Sequence, residues 1–425
     1  DDILGSLLLI LILIVTVVEI FTPYLVYIIA PGFVENSVKF NLAVELTRIT
    51  FPFLIFISLS SFFSGILNSN NKFAAAAAAP IILNIILILS LIISYKLNLN
   101  FVNQLSYGVT LAGVLQLVFL FFVTLKFYKP TLTLRLKVNN KVKKFFKKLL
   151  PSIFSSGITQ INILVGTIIA SYEAGAVSYL YYADRIYQIN LAIAGIAVGT
   201  VSLPALSKAF KNKNIKKLSN IQSKSFELSL LLSIPASLGL ILASEEIVNS
   251  LFGYGSFSEK DVKLTADALK YFGYGVPAFA LVKILSNFFF ARDNTKTPLY
   301  ISIFMVIINI SISVSLFASY GFIIIPIATS ISTWTGVLIY IYLLNEKNSL
   351  LLNKKLIPNF IKILASTIIM SIIMVLLINN YESYLNYSYK FKAIYLLSIV
   401  GFVGIVYLLS CYLFGILKLK NYKTN

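Results

Sequence analysis

AVSYLYYADRIYQINLAIAGIAVGTVSLPALS, residues 176–207, is one long apolar stretch with an Asp184-Arg185 pair set into it. Read as a helix it runs from 177 to 204, and at about 1.5 Å per residue it is long enough to cross a bilayer with tilt. Arg185 then lies roughly 12 Å below one membrane face. A guanidinium cannot shed its proton, and burying it in hydrocarbon costs roughly 2.5–3.5 kcal/mol on insertion scales unless it faces protein or a wet cavity. Asp184 does not simply neutralise it, because consecutive helix residues point in different directions and side chains meet at i+3 or i+4. Tyr181 and Gln188 are better placed to hold Asp184, which leaves Arg185 for an anionic partner. Two readings follow for Arg185: a ligand contact in a cavity, or an interhelical salt bridge that fixes packing.

Composition extends this reading to the whole chain. Of 425 residues, 58% are hydrophobic and only 12% charged, and the mean hydropathy is +0.88. Soluble domains carry about 25% charged residues, so this is an all-α polytopic membrane protein. The net charge of +19 would suggest nucleic acid in a soluble protein, but here the lysines fall in short loops between apolar spans. Cys411 is the single cysteine and there is no histidine, which removes disulfide frameworks, thiolate metal sites and the commonest general base. Asp1 and Asp2 lead straight into an apolar span with no basic n-region and no initiator Met. The chain is therefore expected to be a fragment or a processed product.

Apolar runs of about 20 or more residues give twelve expected spans: 3–29, 43–67, 73–95, 104–126, 149–171, 177–204, 225–245, 265–291, 297–318, 321–344, 357–378 and 391–416. The loops then alternate. Those on the starting side include the lysine-rich runs at 141–148 and 208–224, whereas the opposite loops hold only Lys39, Lys96, Lys260, Lys263, Lys390 and Lys392. By the positive-inside rule both termini are cytoplasmic, and the lysine runs read as topology signals that also attract anionic lipids. Polar landmarks recur in nearly one frame: Pro52 with Pro277, Asn84 with Asn309, Gly-Val-Leu at 113 and at 336, and the turns NSNNK (68–72) and ARDNTKTP (291–298). Equal orientation of the two halves makes this a parallel repeat, as in two-bundle transporters. We expect an incomplete four-helix bundle at 1–126, a basic linker at 127–148, a six-helix bundle at 149–344, and two further helices with a tail at 345–425.

Several other residues are candidates. Lys283, about eight residues from one end of its span, either lines a cavity or snorkels to the surface. Arg48 and Glu45 open the second span near the opposite face, where anchoring is cheap. Glu19 and Glu227 lie in or beside apolar spans without an evident partner. Gly195 and Gly199 form a GxxxG that serves either close helix packing or bending during a conformational cycle. In ARDNTKTP, Thr297 is placed to cap a helix that Pro298 opens, and Arg292 and Asp293 are close enough to pair across the turn. A gate latch and a plain connector are both open there. Nothing matches a phosphate-cradling loop, so bound ATP is not expected.

Six pieces carry a resemblance: FPFLIFISLSSFFSGILNS (51–69), APIILNI (79–85), GVLQL (113–117), GAVSYLYYADRIYQ (175–188), GIAVGTVSLPALSK (195–208) and ARDNTKTP (291–298). On them the chain resembles the MurJ/MviN lipid II flippases of bacterial cell-wall synthesis, within the multidrug and polysaccharide exporter superfamily. The resemblance implies fourteen helices, with two pseudo-symmetric six-helix bundles around a cationic cavity and two C-terminal helices forming a lipid-tail groove. On that count the chain begins at the third helix. Arg185 falls on a functional arginine of the family and Lys283 on a lysine found in relatives, with Asp184 and Arg48 as further substrate-side candidates. Some relatives bind sodium in the second bundle through carboxylates. Here Asn309 and Thr329 could supply oxygens, but Val165 and Ser313 stand near where acids are expected.

The implied function is transport, not catalysis: flipping of an undecaprenyl-diphosphate-linked disaccharide-pentapeptide across the inner membrane. No cofactor and no nucleic acid are expected, the chain is expected to act as a monomer, and a monovalent cation or the membrane potential is the candidate energy source. The rivals are a drug or polysaccharide-lipid exporter of the same superfamily, and a polyprenyl-phosphate glycosyltransferase. A drug/cation antiporter wants buried carboxylates in its cavity, whereas the deep charges here are mostly basic. The glycosyltransferase needs carboxylates or a metal beside a sizeable soluble domain, and no loop is long enough.

Overall fold

The computed structural model describes residues 2–130, 143, 147, 157, 160–346, 349–353 and 355–417. These residues form helices with no strand among them, and ten segments are long and apolar enough to cross a membrane. One of the ten, Lys296–Glu346, contains two of the expected spans. Most of the expected 127–148 linker and the first part of the span at 149–171 lie outside the described residues. Two compact units divide at Gly157 and Ile158.

In the first unit, α1 (Asp2–Ile20) and α2 (Thr22–Ile29) replace the single span expected at 3–29. The break has a local cause. Pro23 has no N–H to give to the Glu19 carbonyl, and that carbonyl instead accepts from Thr22 Oγ1 at 3.0 Å. After a 3-10 turn at Pro31–Glu35 come α3 (Ser37–Thr50), α4 (Phe53–Ser69), α5 (Phe73–Leu97) and α6 (Phe101–Thr124). Asn98 ends α5 in the left-handed region at φ 50°, and the Asn100 side chain caps α6 by accepting from the Val102 and Asn103 amides. Leu59, Phe63 and Leu67 of α4 meet Leu4 and Leu11 of α1 and Leu120 of α6 in one apolar cluster.

The second unit holds α7 (Gln160–Ala170), α8 (Ala176–Leu191), a π-helical turn (Ala192–Ala197), α9 (Val198–Lys211), α10 (Ile215–Leu242), α11 (Ser244–Phe252), α12 (Glu259–Phe290), α13 (Lys296–Tyr320), α14 (Ile324–Glu346), α15 (Leu356–Asn380), the short α16 (Glu382–Leu385) and α17 (Lys392–Leu413). Its centre is α12: 78% of the most apolar part of α12 is buried, against 28% for Ala176–Lys211. Gly273, Gly275, Ala278 and Ala280 let neighbours approach the α12 backbone closely, which in lipid is how helices gain packing energy. The repeat is visible in the packing, since α4, α5 and α6 pack on one another in the first unit as α12, α13 and α14 do in the second.

Pro80, Pro204, Pro235 and Pro277 sit inside helices without breaking them, and two of them hand their freed carbonyl to another helix. Pro277 frees the Gly273 carbonyl, which accepts from Ser237 Oγ of α10 at 2.7 Å. Pro235 frees the Leu231 carbonyl, which accepts from Tyr407 Oη of α17 at 2.7 Å. With no water in hydrocarbon, a freed carbonyl must find such a partner, and each one here stitches two helices together. Pro52 has no such role and stands at the start of α4.

Candidate functional site

Arg185 lies on an exposed side of α8. Its guanidinium carbon sits 4.7 Å from the centroid of the Tyr181 ring, one turn earlier on the same helix. It has no hydrogen bond and no carboxylate within ion-pair distance among the described residues. Asp184 is held instead by Gln188, whose Nε2 donates to Oδ2, with the Tyr187 hydroxyl as a further donor beside it. Gln188 thus takes the role the spacing assigns it, but Tyr181 does not. The i to i+4 geometry stacks Tyr181 under Arg185 and brings Tyr187, three residues on, to Asp184.

Asp184 faces a pocket of about 190 Å³ inside the second unit, walled by α7, α8, α12, α13 and α14. Asn309 and Thr329 line the same pocket, joined by a 2.8 Å bond from Asn309 Nδ2 to Thr329 Oγ1. Asn162 of α7 also lines it, and its Oδ1 is buried without a donor. The structure therefore brings Asp184 together with Asn309 and Thr329, and sets Arg185 outside the pocket. Ser313, one turn beyond Asn309, is buried with an unpartnered hydroxyl. Among the described residues no three His, Cys, Asp or Glu side chains are grouped to hold a metal ion.

Lys283 is exposed on α12, without a hydrogen-bond or ion-pair partner among the described residues. In the first unit Arg48 is exposed on α3 and supplies the attractive charge felt by Glu19 of α1, whose Oε1 is buried without a donor.

Both glycines named from the sequence lie where α8 and α9 press on α12. A Cβ at Gly195 would stand 3.2 Å from the Ala280 Cα, and one at Gly199 would stand 3.1 Å from Asn287 Nδ2. Asn287 Nδ2 also donates to the Gly199 carbonyl at 2.8 Å. Close packing is thus observed at both, and Gly195 lies within the π turn, a local irregularity that often marks a functional bend. Gly195→Val forces the α12 backbone away and is expected to destabilise the protein by about 1–3 kcal/mol. A lowered unfolding midpoint in detergent checks this.

Arg292 and Asp293 do not pair. The Arg292 guanidinium donates to the Phe288 carbonyl at 2.6 Å and to the Ser349 carbonyl at 2.9 Å, over the Phe210 ring. Asp293 is in the left-handed region at φ 57°, a turn conformation that short polar side chains tolerate. Thr297 does not cap α13: Thr295 stands at the N-cap without a side-chain cap bond, and Asn294 Oδ1, one residue earlier, accepts from the Thr297 amide at 3.1 Å. Gln222 joins Arg292 in holding the α14–α15 connection: its Nε2 donates to the Ser349 carbonyl and its Oε1 accepts from the Leu351 amide.

The sequence model described as "Lipid II flippase MurJ" matches residues 1–419. The chain belongs to this family. A probable lipid II flippase MurJ of Rickettsia prowazekii (strain Madrid E) is 38% identical over 418 residues, covering 98% of this chain and 81% of the relative. One of Rhizobium tropici is 34% identical over 415 residues, covering 96% and 77%. A solved structure described as lipid II flippase MurJ in an inward closed conformation superposes with TM-score 0.80 at 26% identity, covering 97% of this chain and 84% of that one. An inward-facing multidrug resistance MATE transporter of the MOP superfamily shares the fold at TM-score 0.67 and 16% identity, covering 81% and 80%.

In this MurJ-family chain the cation held most tightly was not singled out in the sequence. Lys392, counted there as a loop lysine, is fully buried. Its Nζ donates to Asn249 Oδ1 at 2.9 Å, the Gly253 carbonyl at 2.6 Å and the Tyr387 carbonyl at 2.7 Å. The Tyr254 and Tyr387 rings lie 4.3 and 4.7 Å away. All three ammonium protons are used, and no carboxylate is needed. Asn249 Nδ2 further donates to the Leu385 carbonyl, so this cage fastens the start of α17 to α11.

Beside the cage is a cavity of about 330 Å³ lined by Glu245, Glu246, Glu259, Glu382 and Lys263. Burial pushes the Glu246 carboxyl above its ordinary value, opposed by a backbone hydrogen bond and helped by the Glu245 and Glu382 carboxylates. An acid raised in the folded state keeps its proton there after the unfolded chain has lost it. Stability therefore falls as pH rises from the ordinary value of 4.5 to the raised one, and levels off above it. Glu246→Gln is expected to raise the unfolding midpoint at pH 7 and to make no difference once the pH lies below 4.5, a comparison read from paired melts.

Proposed function

We propose that this protein flips a lipid-linked cell-wall precursor, lipid II, across the inner membrane, as a transporter and not a catalyst. Membership of the MurJ family and a row of apolar spanning helices support this reading. Its single strongest physical support is Arg185, a permanent charge in a spanning helix with no carboxylate within ion-pair distance among the described residues. A lipid-linked diphosphate cannot cross hydrocarbon with its hydration shell removed, and a fixed guanidinium replaces part of that shell with charge-assisted hydrogen bonds. Lys283 is the second contact in this proposal.

The distribution of lysines supports cytoplasmic termini, and α15 and α17 are proposed to guide the prenyl tail. A monovalent cation is the candidate coupling ion. The pocket with Asp184, Asn309, Thr329 and the donorless Asn162 Oδ1 offers neutral oxygens and one carboxylate, which suits a hard cation of low charge. The membrane potential, worth about 2.3 kcal/mol per charge per 100 mV, is the other candidate source. Expression in a bacterium depleted of its own lipid II flippase tests the proposal. Restored growth supports it, and failure with the protein present in the membrane at normal levels contradicts it.

A further inference from the structure

We propose that Tyr181 is a positioning residue that holds the Arg185 guanidinium with its N–H edge free for a diphosphate. The inference rests on reading Arg185 as the headgroup contact. The two side chains are one turn apart on α8, and the guanidinium carbon is 4.7 Å from the ring centroid. Stacking covers one face of the guanidinium and leaves its in-plane donors at the rim, which is the geometry that paired phosphate oxygens accept. Asp184 does not compete for those donors, because Gln188 holds it.

The ring is itself braced. Tyr181 meets Tyr182 edge-on at 6.1 Å, and Tyr182 packs against Phe252 at 4.7 Å and Phe257 at 5.3 Å. Support for Arg185 therefore passes from α8 to α11 and the connection after it. A guanidinium on an unsupported four-bond arm must be frozen when ligand binds; one already resting on a fixed ring loses less freedom. The Tyr181 hydroxyl has no hydrogen-bond partner among the described residues, so the ring face is the working part and phenylalanine should serve as well.

The test measures binding of undecaprenyl diphosphate to the whole chain in lipid nanodiscs. Arg185→Ala is expected to weaken binding about tenfold or more. Tyr181→Leu should weaken it about two- to five-fold, the range of an exposed cation–π contact, and Tyr181→Phe should bind as the parent does. In an Arg185→Ala background, Tyr181→Leu should cause no further loss. Parental binding by Tyr181→Leu, weakened binding by Tyr181→Phe, or an undiminished Tyr181→Leu loss without Arg185 would each overturn the positioning role while leaving the headgroup reading intact. Parental binding by Arg185→Ala would overturn the headgroup reading and this inference with it.

Discussion

Arg185→Ala abolishes growth support in a flippase-depleted strain while membrane levels of the protein stay at those of the parent. The two halves of this expected result have separate causes. Levels hold because nothing in the fold depends on the guanidinium. Arg185 is exposed, makes no hydrogen bond to a described residue, and leaves Asp184 with its own donors, Gln188 and Tyr187. Its stacking on Tyr181, about 0.5–1 kcal/mol, and its attraction to the adjacent Asp184 are lost, while removing a charge from a spanning segment makes insertion easier, not harder. Function fails because a neutral methyl cannot offset the desolvation of a diphosphate. Colony formation at matched expression, checked by membrane immunoblot, reads both halves. Arg185→Lys separates charge from shape: an ammonium keeps the charge and loses the planar fork, so partial growth is expected.

Lys392→Met has the largest expected effect on stability. The substitution is close in length and removes the ammonium from a fully buried cage. Asn249 Oδ1 and the Gly253 and Tyr387 carbonyls then lose their shared donor, each inside protein and away from water. Stranding buried acceptors costs about 1–3 kcal/mol apiece, and the total is expected at about 3–5 kcal/mol because the loop can relax in part. The thermal midpoint of the detergent-solubilised protein should fall by several degrees. Proteolysis should first cut between α15 and α17, where the cage fastens the chain. An unchanged midpoint would mean that the three oxygens find other donors.

Much of the fold could be read from periodicity and composition because hydrocarbon admits so few solutions: a run of about 20 apolar residues has to be a helix. The landmarks of the repeat recur in position and not in role: Pro277 and Asn309 are buried in α12 and α13, whereas Pro52 stands at the start of α4 and Asn84 is exposed. Breaks inside spans were harder to see. Pro23 splits a span while Pro80, Pro204, Pro235 and Pro277 do not, and at Pro277 and Pro235 the freed carbonyls find remote hydroxyls on Ser237 and Tyr407. Sequence spacing within one helix cannot report those.

At the candidate site, spacing correctly gave Gln188 to Asp184 but misassigned Tyr181, which lies three residues before Asp184 and four before Arg185 and stacks on the latter. The Arg292–Asp293 pairing failed because neighbours in sequence leave a tight turn in different directions, and backbone carbonyls of Phe288 and Ser349 were nearer acceptors. Lys392 was misread as a surface charge because every one of its partners is far along the chain or a backbone carbonyl. The centrality of α12 was masked by the charges of its first turns, among them Lys260, Asp261, Lys263, Asp267 and Lys270, which dilute an otherwise buried helix.

The most direct measurement is the appearance of lipid II in the outer leaflet of intact depleted cells, followed with an externally added enzyme that cleaves only exposed precursor. Cells expressing the parent protein should release cleaved headgroup, and cells expressing Arg185→Ala at the same membrane level should release at least about tenfold less. Equal release from the two would contradict the role of the Arg185 guanidinium in moving the diphosphate.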